Sequence, residues 1–223
     1  NSHGLEHEEV ANWFVSRLIV NPNFVLADQN KANEVITVLK LMEKLEPSLK
    51  LVTPNKTGGN SLSMLFQDGQ LLINNIPFDK LSSGFVSVIK IFQEIVVGYG
   101  GWTNEDNLSL VDGIVFIDEI EPHLHISWQT KIISILKDFF PKTTFYISTH
   151  SPLVLVGLKD GQAYQLYRDD SFVKTKKINN IDNYFLNDII TEYFGVDLNA
   201  EKINHVDKEK QNKAKELLLK LTK

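Results

Sequence analysis

Two acidic residues, Asp118 and Glu119, directly follow a short apolar run, and a histidine, His150, follows a second one. Paired carboxylates at the end of a strand suit phosphoryl transfer, because one can hold Mg²⁺ while the other orients or deprotonates the attacking water. A histidine at the neighbouring strand end could donate to the γ-phosphate of a nucleotide and sense its loss. These three residues are therefore the first candidates for a catalytic site.

The sequence around these residues predicts the elements that position them. Residues 114–117 form an apolar run too short for a helix, which is typical of a buried central strand in a parallel sheet. A helix over residues 127–140 and a strand over residues 143–148 complete the strand, helix, strand unit of α/β proteins. Ligands of such proteins bind where the strands end. The residues expected to share one crevice there are Asp118, Glu119, Ser148, Thr149 and His150.

The amino-terminal half predicts helices, a hairpin and a polar loop. Apolar residues recur at helical spacing over residues 7–20, 30–46 and 84–97. The Asp-Gly pair at 68–69 predicts a type I′ hairpin, since both central residues of that turn need positive φ. The glycine-rich stretch 98–112 predicts a loop or a small insertion.

The carboxyl-terminal part predicts a hairpin over residues 163–177 and helices over residues 183–196 and 200–223. The last helix carries lysines that could form a basic or partner-binding face, although such residues more often form a solvated side of a helix. These lysines are Lys208, Lys210, Lys213 and Lys215. We divide the chain into a helical and signature region with a hairpin, residues 1–112, and an α/β core with terminal elements, residues 113–223.

Composition limits the classes of protein that fit. A chain of 223 residues with 43% hydrophobic and 23% charged residues is typical of a globular protein of one or two domains. The net charge of −5 does not indicate DNA binding, although a local patch could still bind DNA. The absence of cysteine excludes disulfides and thiolate metal sites. No membrane span or signal peptide is recognisable, so we expect a cytoplasmic protein that does not bind a membrane.

Other interpretations of the same residues stay open at this point. An Asp-Glu pair after an apolar strand can simply cap a helix. A metal cluster is a second possibility, because carboxylates and imidazoles are common ligands. Its members would be Asp118, Glu119, His123, His125 and His150. Serine-histidine chemistry through Ser148 or Ser151 is less favoured, because the sequence has no nucleophile elbow.

A third element, Ser82-Ser83-Gly84 at the start of a predicted helix, offers hydroxyl donors and free backbone N–H groups to a phosphate. An ordinary helix cap explains the same residues. The sequence as a whole contains, in order, LSSG, an apolar strand ending in DE, then EPHLH, then STHSP. This series resembles the signature, Walker B, D-loop and switch-histidine motifs of ABC-type ATPases. Among these, it looks most similar to AAA family ATPases of the overcoming-lysogenization-defect (OLD-like) branch.

The resemblance implies a partial P-loop NTPase head of the ABC type, with a parallel sheet core and a helical signature subdomain. It implies that two heads close over ATP as a homodimer or higher oligomer and act in phage defence or DNA maintenance, with a nuclease or other effector as a further partner. Asp118 would bind Mg²⁺, Glu119 would be the general base and His150 the switch. The signature residues that contact ATP would be Ser82, Ser83 and Gly84. The D-loop between subunits would include Glu121, His123 and His125.

The sequence departs from the ABC-type pattern at several points. Ser83 replaces a glycine, Phe85 replaces a polar residue, and the stretch 98–112 lengthens the gap before the strand. No G-x-x-x-x-G-K-[ST] motif is present, so the Walker A cradle for the phosphates is missing. The chain therefore looks like the carboxyl-terminal portion of a longer ATPase, inactive by itself. The alternative is a non-catalytic module that dimerises or binds a partner such as a nuclease.

Overall fold

The computed structural model describes residues 2–18, 29–54, 60–101, 107–159, 161–198 and 200. The helices and strands of these residues are, in chain order, α1 (Ser2–Leu18), α2 (Gln29–Leu45), β1 (Val52–Pro54), β2 (Asn60–Leu62), β3 (Met64–Gln67), β4 (Gln70–Ile73), β5 (Ile76–Pro77), α3 (Ser83–Gly100), β6 (Gly113–Ile117), α4 (Ile126–Gln129), α5 (Ile132–Phe139), β7 (Thr143–Ile147), β8 (Ala163–Asp169), β9 (Phe172–Ile178) and α6 (Leu186–Phe194).

The chain forms two compact units, Asn1–Gly157 and Leu158–Lys223. The division that we predicted after residue 112 falls inside the first unit. The reason is the packing of α2, which contacts α3 on one side of that division and α5 on the other. Residues 1–112 and 113–223 are therefore regions of the sequence rather than separate compact units.

Helices α1, α2 and α3 pack on one another because each carries an apolar stripe at helical spacing. Their most deeply buried side chains include Phe14, Leu39, Met42 and Phe92. Helix α3 continues to Gly100, so residues 98–100 are helical and not part of the predicted loop. The physical reason is Tyr99, which is buried against Phe140 and whose hydroxyl lies 2.5 Å from Thr143 Oγ1.

The predicted type I′ hairpin is confirmed between β3 and β4. The two strands pair antiparallel, and both turn residues have positive φ, 52° at Asp68 and 78° at Gly69. This geometry matches the right-handed twist of the flanking strands, which is why the Asp-Gly pair predicts it. Strand β5 then pairs with β4, and β1 pairs with β2.

The parallel unit that holds the candidate site is also observed. Strands β6 and β7 run parallel in continuous register from the pair Gly113–Thr143 to the pair Ile117–Ile147. The helix predicted over residues 127–140 is interrupted between α4 and α5, where Lys131 donates to the carbonyl of Trp128. Thr130 also bonds back to the carbonyl of Ser127, which competes with regular helical hydrogen bonding. The predicted α/β fold class, with a parallel sheet and a helical signature region, is confirmed.

Strand β6 is not the buried central strand that its apolar run predicts. Among the described strands it pairs only with β7. Val115 and Ile117 pack against the core, whereas Ile114 and Phe116 are 62% and 77% exposed. Side chains alternate between the faces of a strand, and the core of the first unit covers only one face of this sheet.

The described part of the second unit contains the predicted hairpin and a helix. Strands β8 and β9 pair antiparallel from Ala163–Ile178 to Asp169–Phe172, and α6 follows them. The lysines of the predicted last helix, at positions 208, 210, 213 and 215, lie outside the described residues. No helix within the described ranges combines the length and apolar character needed to cross a membrane.

Candidate functional site

The ends of β6 and β7 bring the predicted polar residues together. Ser148 Oγ donates to the Asp118 carboxylate and accepts a 2.8 Å hydrogen bond from the Glu119 N–H. His150 Nε2 lies 3.5 Å from Glu119 Oε1. The parallel order of β6 and β7 produces this arrangement, since the two strands end at the same edge of the sheet. Ser148 was predicted to lie at this edge, and in the structure it joins the Asp118 carboxylate to the backbone of Glu119.

Glu119 adopts a left-handed backbone conformation, with φ of 48°. Such a conformation costs a non-glycine residue about 1–2 kcal/mol and is often found at functional sites. The turn ends the alternation of the strand immediately after Asp118. As a result, Asp118 and Glu119 line the same groove instead of opposite faces of the sheet.

That groove has a volume of about 980 Å³ and is lined by α3, by β6 and by the residues on either side of β6. Asp118 and Glu119 stand at its end and are exposed. In the described part of the chain, neither carboxylate forms an ion pair with a lysine or arginine. An exposed carboxylate without a basic partner is a suitable oxygen ligand for Mg²⁺, which keeps several waters and shares its other positions with phosphates.

The alternative metal cluster of Asp118, Glu119, His123, His125 and His150 is not supported. Within the described ranges no three His, Asp or Glu side chains come together in a way that could hold a metal ion. His125 instead caps α4, where its Nδ1 lies 2.8 Å from Ser127 Oγ and accepts from the Ser127 N–H.

The signature residues begin α3 as expected. Ser82 is the N-cap, and its Oγ accepts a hydrogen bond from the Phe85 N–H at 3.3 Å. The simpler interpretation of Ser82 as a helix cap is therefore realised. It does not exclude a second contact, because a hydroxyl that accepts one hydrogen bond can still donate another to a phosphate.

Gly84 has a neighbour that its sequence context did not predict. A Cβ added at this position would overlap the carbonyl oxygen of His123, whose own φ is 64°. The start of α3 therefore packs directly against the predicted D-loop of the same chain. Close packing inside the chain requires glycine here, whether or not a phosphate approaches.

Phe85, which departs from the ABC-type signature, also packs against the D-loop region. Its ring lies 6.3 Å from that of Trp128, which in turn lies 6.3 Å from the ring of His125. Trp128 Nε1 donates a hydrogen bond to the Glu46 carboxylate. The pKa of that carboxyl is lowered mainly by the hydrogen bond from Ser48 and to a smaller extent by the one from Trp128. Phe85 thus contributes an apolar contact where the ABC-type pattern has a polar residue.

Glu121, predicted as part of the D-loop, bonds to the end of β7 in its own chain. Its carboxylate accepts from Thr149 Oγ1 at 2.6 Å and from the His150 N–H at 2.7 Å. Gln129, to which the sequence analysis gave no role, accepts from Ser151 Oγ at 2.6 Å and donates to the Leu124 carbonyl. The only signal for these contacts in the sequence is the density of polar residues around the two strand ends.

The sequence of this chain also matches a known protein family. The family described as “AAA domain, putative AbiEii toxin, Type IV TA system” matches residues 3–156, which include both strand ends and the stretches predicted as the signature and the D-loop. The chain belongs to this family. The predicted membership of an AAA-type ATPase family is confirmed, whereas the OLD-like branch stays a prediction.

Several relatives match parts of the chain. The Septu protein PtuA of Bacillus thuringiensis is 27% identical over 206 residues, 87% of this chain and 50% of that protein. The Septu protein PtuA of Bacillus mycoides (strain KBAB4) is 41% identical over 93 residues, 41% of this chain and 13% of that protein. The “Retron Vc95 probable ATPase” of Vibrio cholerae serotype O1 biovar El Tor is 52% identical over 50 residues, 22% of this chain and 10% of that protein.

The chain thus spans about half the length of its curated relatives, or less. A solved structure described as “Structural biochemistry of ATP-driven dimerization and DNA stimulated activation of SMC ATPases” aligns with a TM-score of 0.44 and 11% identity, over 66% of this chain and 84% of that chain. The catalytic and ATP-contacting roles of individual residues in this member of the AAA family stay predictions.

The contact at Gly84 predicts a loss of stability in the Gly84→Ala variant. The added methyl group must displace the His123 carbonyl, and overpacking of this kind costs about 1–3 kcal/mol. Gly98→Ala is the matched control, because Gly98 lies in the same helix with nothing within 4 Å of its Cβ position. We expect that control to stabilise the chain by about 1 kcal/mol through helix propensity. Urea unfolding measures both changes, and equal effects would contradict the packing argument.

Proposed function

We propose that this chain is the part of an ATP-hydrolysing head that carries the signature, Walker B, D-loop and switch histidine. The observation that carries the proposal is the convergence of Asp118, Glu119 and His150 on one edge of a parallel sheet. Ser148 links the two acids, and His150 lies beside Glu119. Membership of the AAA family supports it. All three side chains are exposed, and Asp118 and Glu119 line a groove large enough for a nucleotide phosphate tail.

The chemistry assigns each residue a role. Asp118 would hold Mg²⁺, which neutralises phosphate charge when it is bound. Glu119 accepts the proton of the attacking water, and its position one residue beyond Asp118 places it over the same groove. His150 donates to the γ-phosphate, and its ring already lies beside the Glu119 carboxylate. Ser148 restrains both acids, so less reorganisation is needed when the substrate binds.

The proposed function requires a P-loop from a further segment or a second chain, because the sequence contains no such motif. The exposed side of the sheet supports this part of the proposal. Ile114 and Phe116 are exposed there, and the ring of Phe116 stacks on that of Tyr146 at 5.1 Å. Parallel sheets are normally covered on both faces, so this apolar surface suits a further segment that carries the P-loop. We call the chain together with that segment the assembled head.

A second head completes the proposed active unit. Ser82 is exposed at the amino end of α3, where free N–H groups and the helix dipole favour a phosphate. The head-to-head arrangement would place this end over ATP held by the other head, as the resemblance to ABC-type ATPases implies. Phage defence or DNA maintenance, with a nuclease or other effector as partner, is the setting that the resemblance and the Septu and retron relatives favour.

Calorimetric titration with Mg-ATP tests this function. We expect the 223-residue chain alone not to bind, because it lacks the phosphate cradle, and the assembled head to bind and hydrolyse ATP. Asp138→Ala, an exposed acid on α5, is a control that should leave binding unchanged. Binding by the chain alone that Asp118→Ala abolishes would overturn the requirement for a separate P-loop. An assembled head that neither binds nor hydrolyses ATP would overturn the ATPase function.

One observation favours the second candidate, a non-catalytic module that binds a protein partner. The hairpin of the second unit exposes several large apolar side chains, and exposed apolar patches often mark interaction sites. They are Tyr164, Leu166, Tyr167, Phe172 and Val173. An assembled head that binds a partner through this hairpin but shows no ATP turnover would select this alternative.

A further inference from the structure

Glu121 makes a two-pronged contact with the residues that follow β7. One carboxylate oxygen accepts from the hydroxyl of Thr149 at 2.6 Å, and the other accepts from the backbone N–H of His150 at 2.7 Å. Both distances are typical of strong hydrogen bonds to a charged acceptor. Thr149 and Glu121 are half-buried, so water competes only partly for these bonds.

In the described part of the chain, the Glu121 carboxylate is the acceptor that binds the backbone N–H of His150 and the hydroxyl of Thr149. The last parallel ladder bonds are those from the Ser148 N–H to the Ile117 carbonyl and from the Ile120 N–H to the Ser148 carbonyl. Beyond Ser148 the chain leaves the sheet, and the Glu121 carboxylate holds residues 149–150 before the next side-chain anchor, where Ser151 Oγ donates to Gln129. The imidazole of His150 is exposed, so its direction depends on where this backbone is fixed.

We infer that Glu121 is a positioning residue for His150, acting through the backbone of residues 149–150 rather than by touching nucleotide. The inference rests on the proposed ATPase function, because His150 needs a fixed position only if it meets a γ-phosphate. It adds a role within the chain to a residue that the motif pattern places between subunits. A carboxylate is suited to the role because it presents two acceptors to two donors on adjacent residues.

Hydrogen exchange of the His150 amide in the 223-residue chain tests the contact without nucleotide. Exchange is expected to be at least about tenfold faster in Glu121→Ala, because the amide loses its charged acceptor. Glu121→Gln keeps one acceptor oxygen for that N–H and should restore most of the protection. Glu121→Asp shortens the side chain and should behave like Glu121→Ala, which keeps the test available if the alanine variant does not fold. Unchanged exchange in the alanine and aspartate variants would overturn the inference.

Turnover by the assembled head tests the consequence for His150. We expect Glu121→Ala to lower kcat about tenfold with little change in KM, since it misplaces a group used in the transition state. The double variant Glu121→Ala with His150→Ala should be no slower than His150→Ala alone, because Glu121 acts through that side chain. If Glu121 acts independently of His150, the rate losses of the two single variants should multiply in the double variant, and that result would overturn the inference.

The two failures can be told apart. If the wild-type assembled head does not hydrolyse ATP, the proposed function fails. If it hydrolyses ATP but His150→Ala does not slow it, the role of His150 fails, and the positioning role of Glu121 fails with it. If wild-type turnover depends on Glu119 and His150 but not on Glu121, only the positioning role fails.

Discussion

Glu119→Gln is expected to lower the turnover of the assembled head by about a hundredfold to ten-thousandfold, the usual contribution of a general base. The amide cannot take the proton of the attacking water, but it is nearly the same size as the carboxylate. The left-handed turn at position 119 and the hydrogen bond from its N–H to Ser148 should persist, because both belong to the backbone. Nucleotide binding should therefore survive, and ATP should accumulate unhydrolysed in a closed dimer.

Phosphate release, retained nucleotide and size-exclusion chromatography measure these three outcomes. Glu94→Gln is the matched control, since Glu94 is an exposed acid that lines the same groove but belongs to α3 rather than to the end of β6. We expect its turnover to stay within about twofold of the wild type, as for most exposed substitutions away from a site. Full turnover in Glu119→Gln would remove Glu119 from the role of base.

Asp118→Asn is expected to reduce turnover about a thousandfold and to remove the dependence of ATP binding on Mg²⁺. The neutral amide is a poor ligand for a hard cation, and the charge neutralisation that this ion supplies is worth several kcal/mol in phosphoryl transfer. Ser148 Oγ can still donate to the remaining carbonyl oxygen of the asparagine. The loss should therefore appear in metal dependence and rate, with folding stability little changed.

Asp112→Asn separates this effect from a general loss of negative charge. Asp112 lines the same groove but precedes β6, at the opposite end of the strand from Asp118. Metal-dependent binding by calorimetry should be unchanged in this control. Wild-type Mg²⁺ dependence in Asp118→Asn would show that another group holds the ion.

The sequence predicts well those features that depend on local spacing. The hairpin at Asp68 and Gly69 follows from the φ that the turn needs, and the parallel order of β6 and β7 follows from two apolar runs separated by a helix. The meeting of Asp118 with Ser148 is a direct consequence of that order. Local pattern and chain connectivity are enough for these predictions.

Other features depend on contacts that no local pattern encodes. The left-handed conformation at position 119 could not be predicted, because the residue there is a glutamate and not the glycine or asparagine that usually adopts positive φ. The bonds of Glu121 join residues 28 and 29 positions apart in the sequence, and Gly84 and His123 are also far apart in the sequence. The burial of β6 was predicted wrongly for a related reason, because an apolar run shows that a strand can be covered but not whether a given chain covers it.

The contact between Gly84 and His123 affects what the Leu-Ser-Ser-Gly motif can indicate about ATPase activity. A glycine at the end of Leu-Ser-Ser-Gly is commonly taken as a mark of an ATPase that works. In this fold the glycine is also demanded by the His123 carbonyl, so selection for a stable fold alone would keep it. A related chain that had lost nucleotide chemistry could therefore retain the signature glycine. In related sequences, acids at the positions of Asp118 and Glu119 should therefore be better indicators of ATPase activity than this glycine.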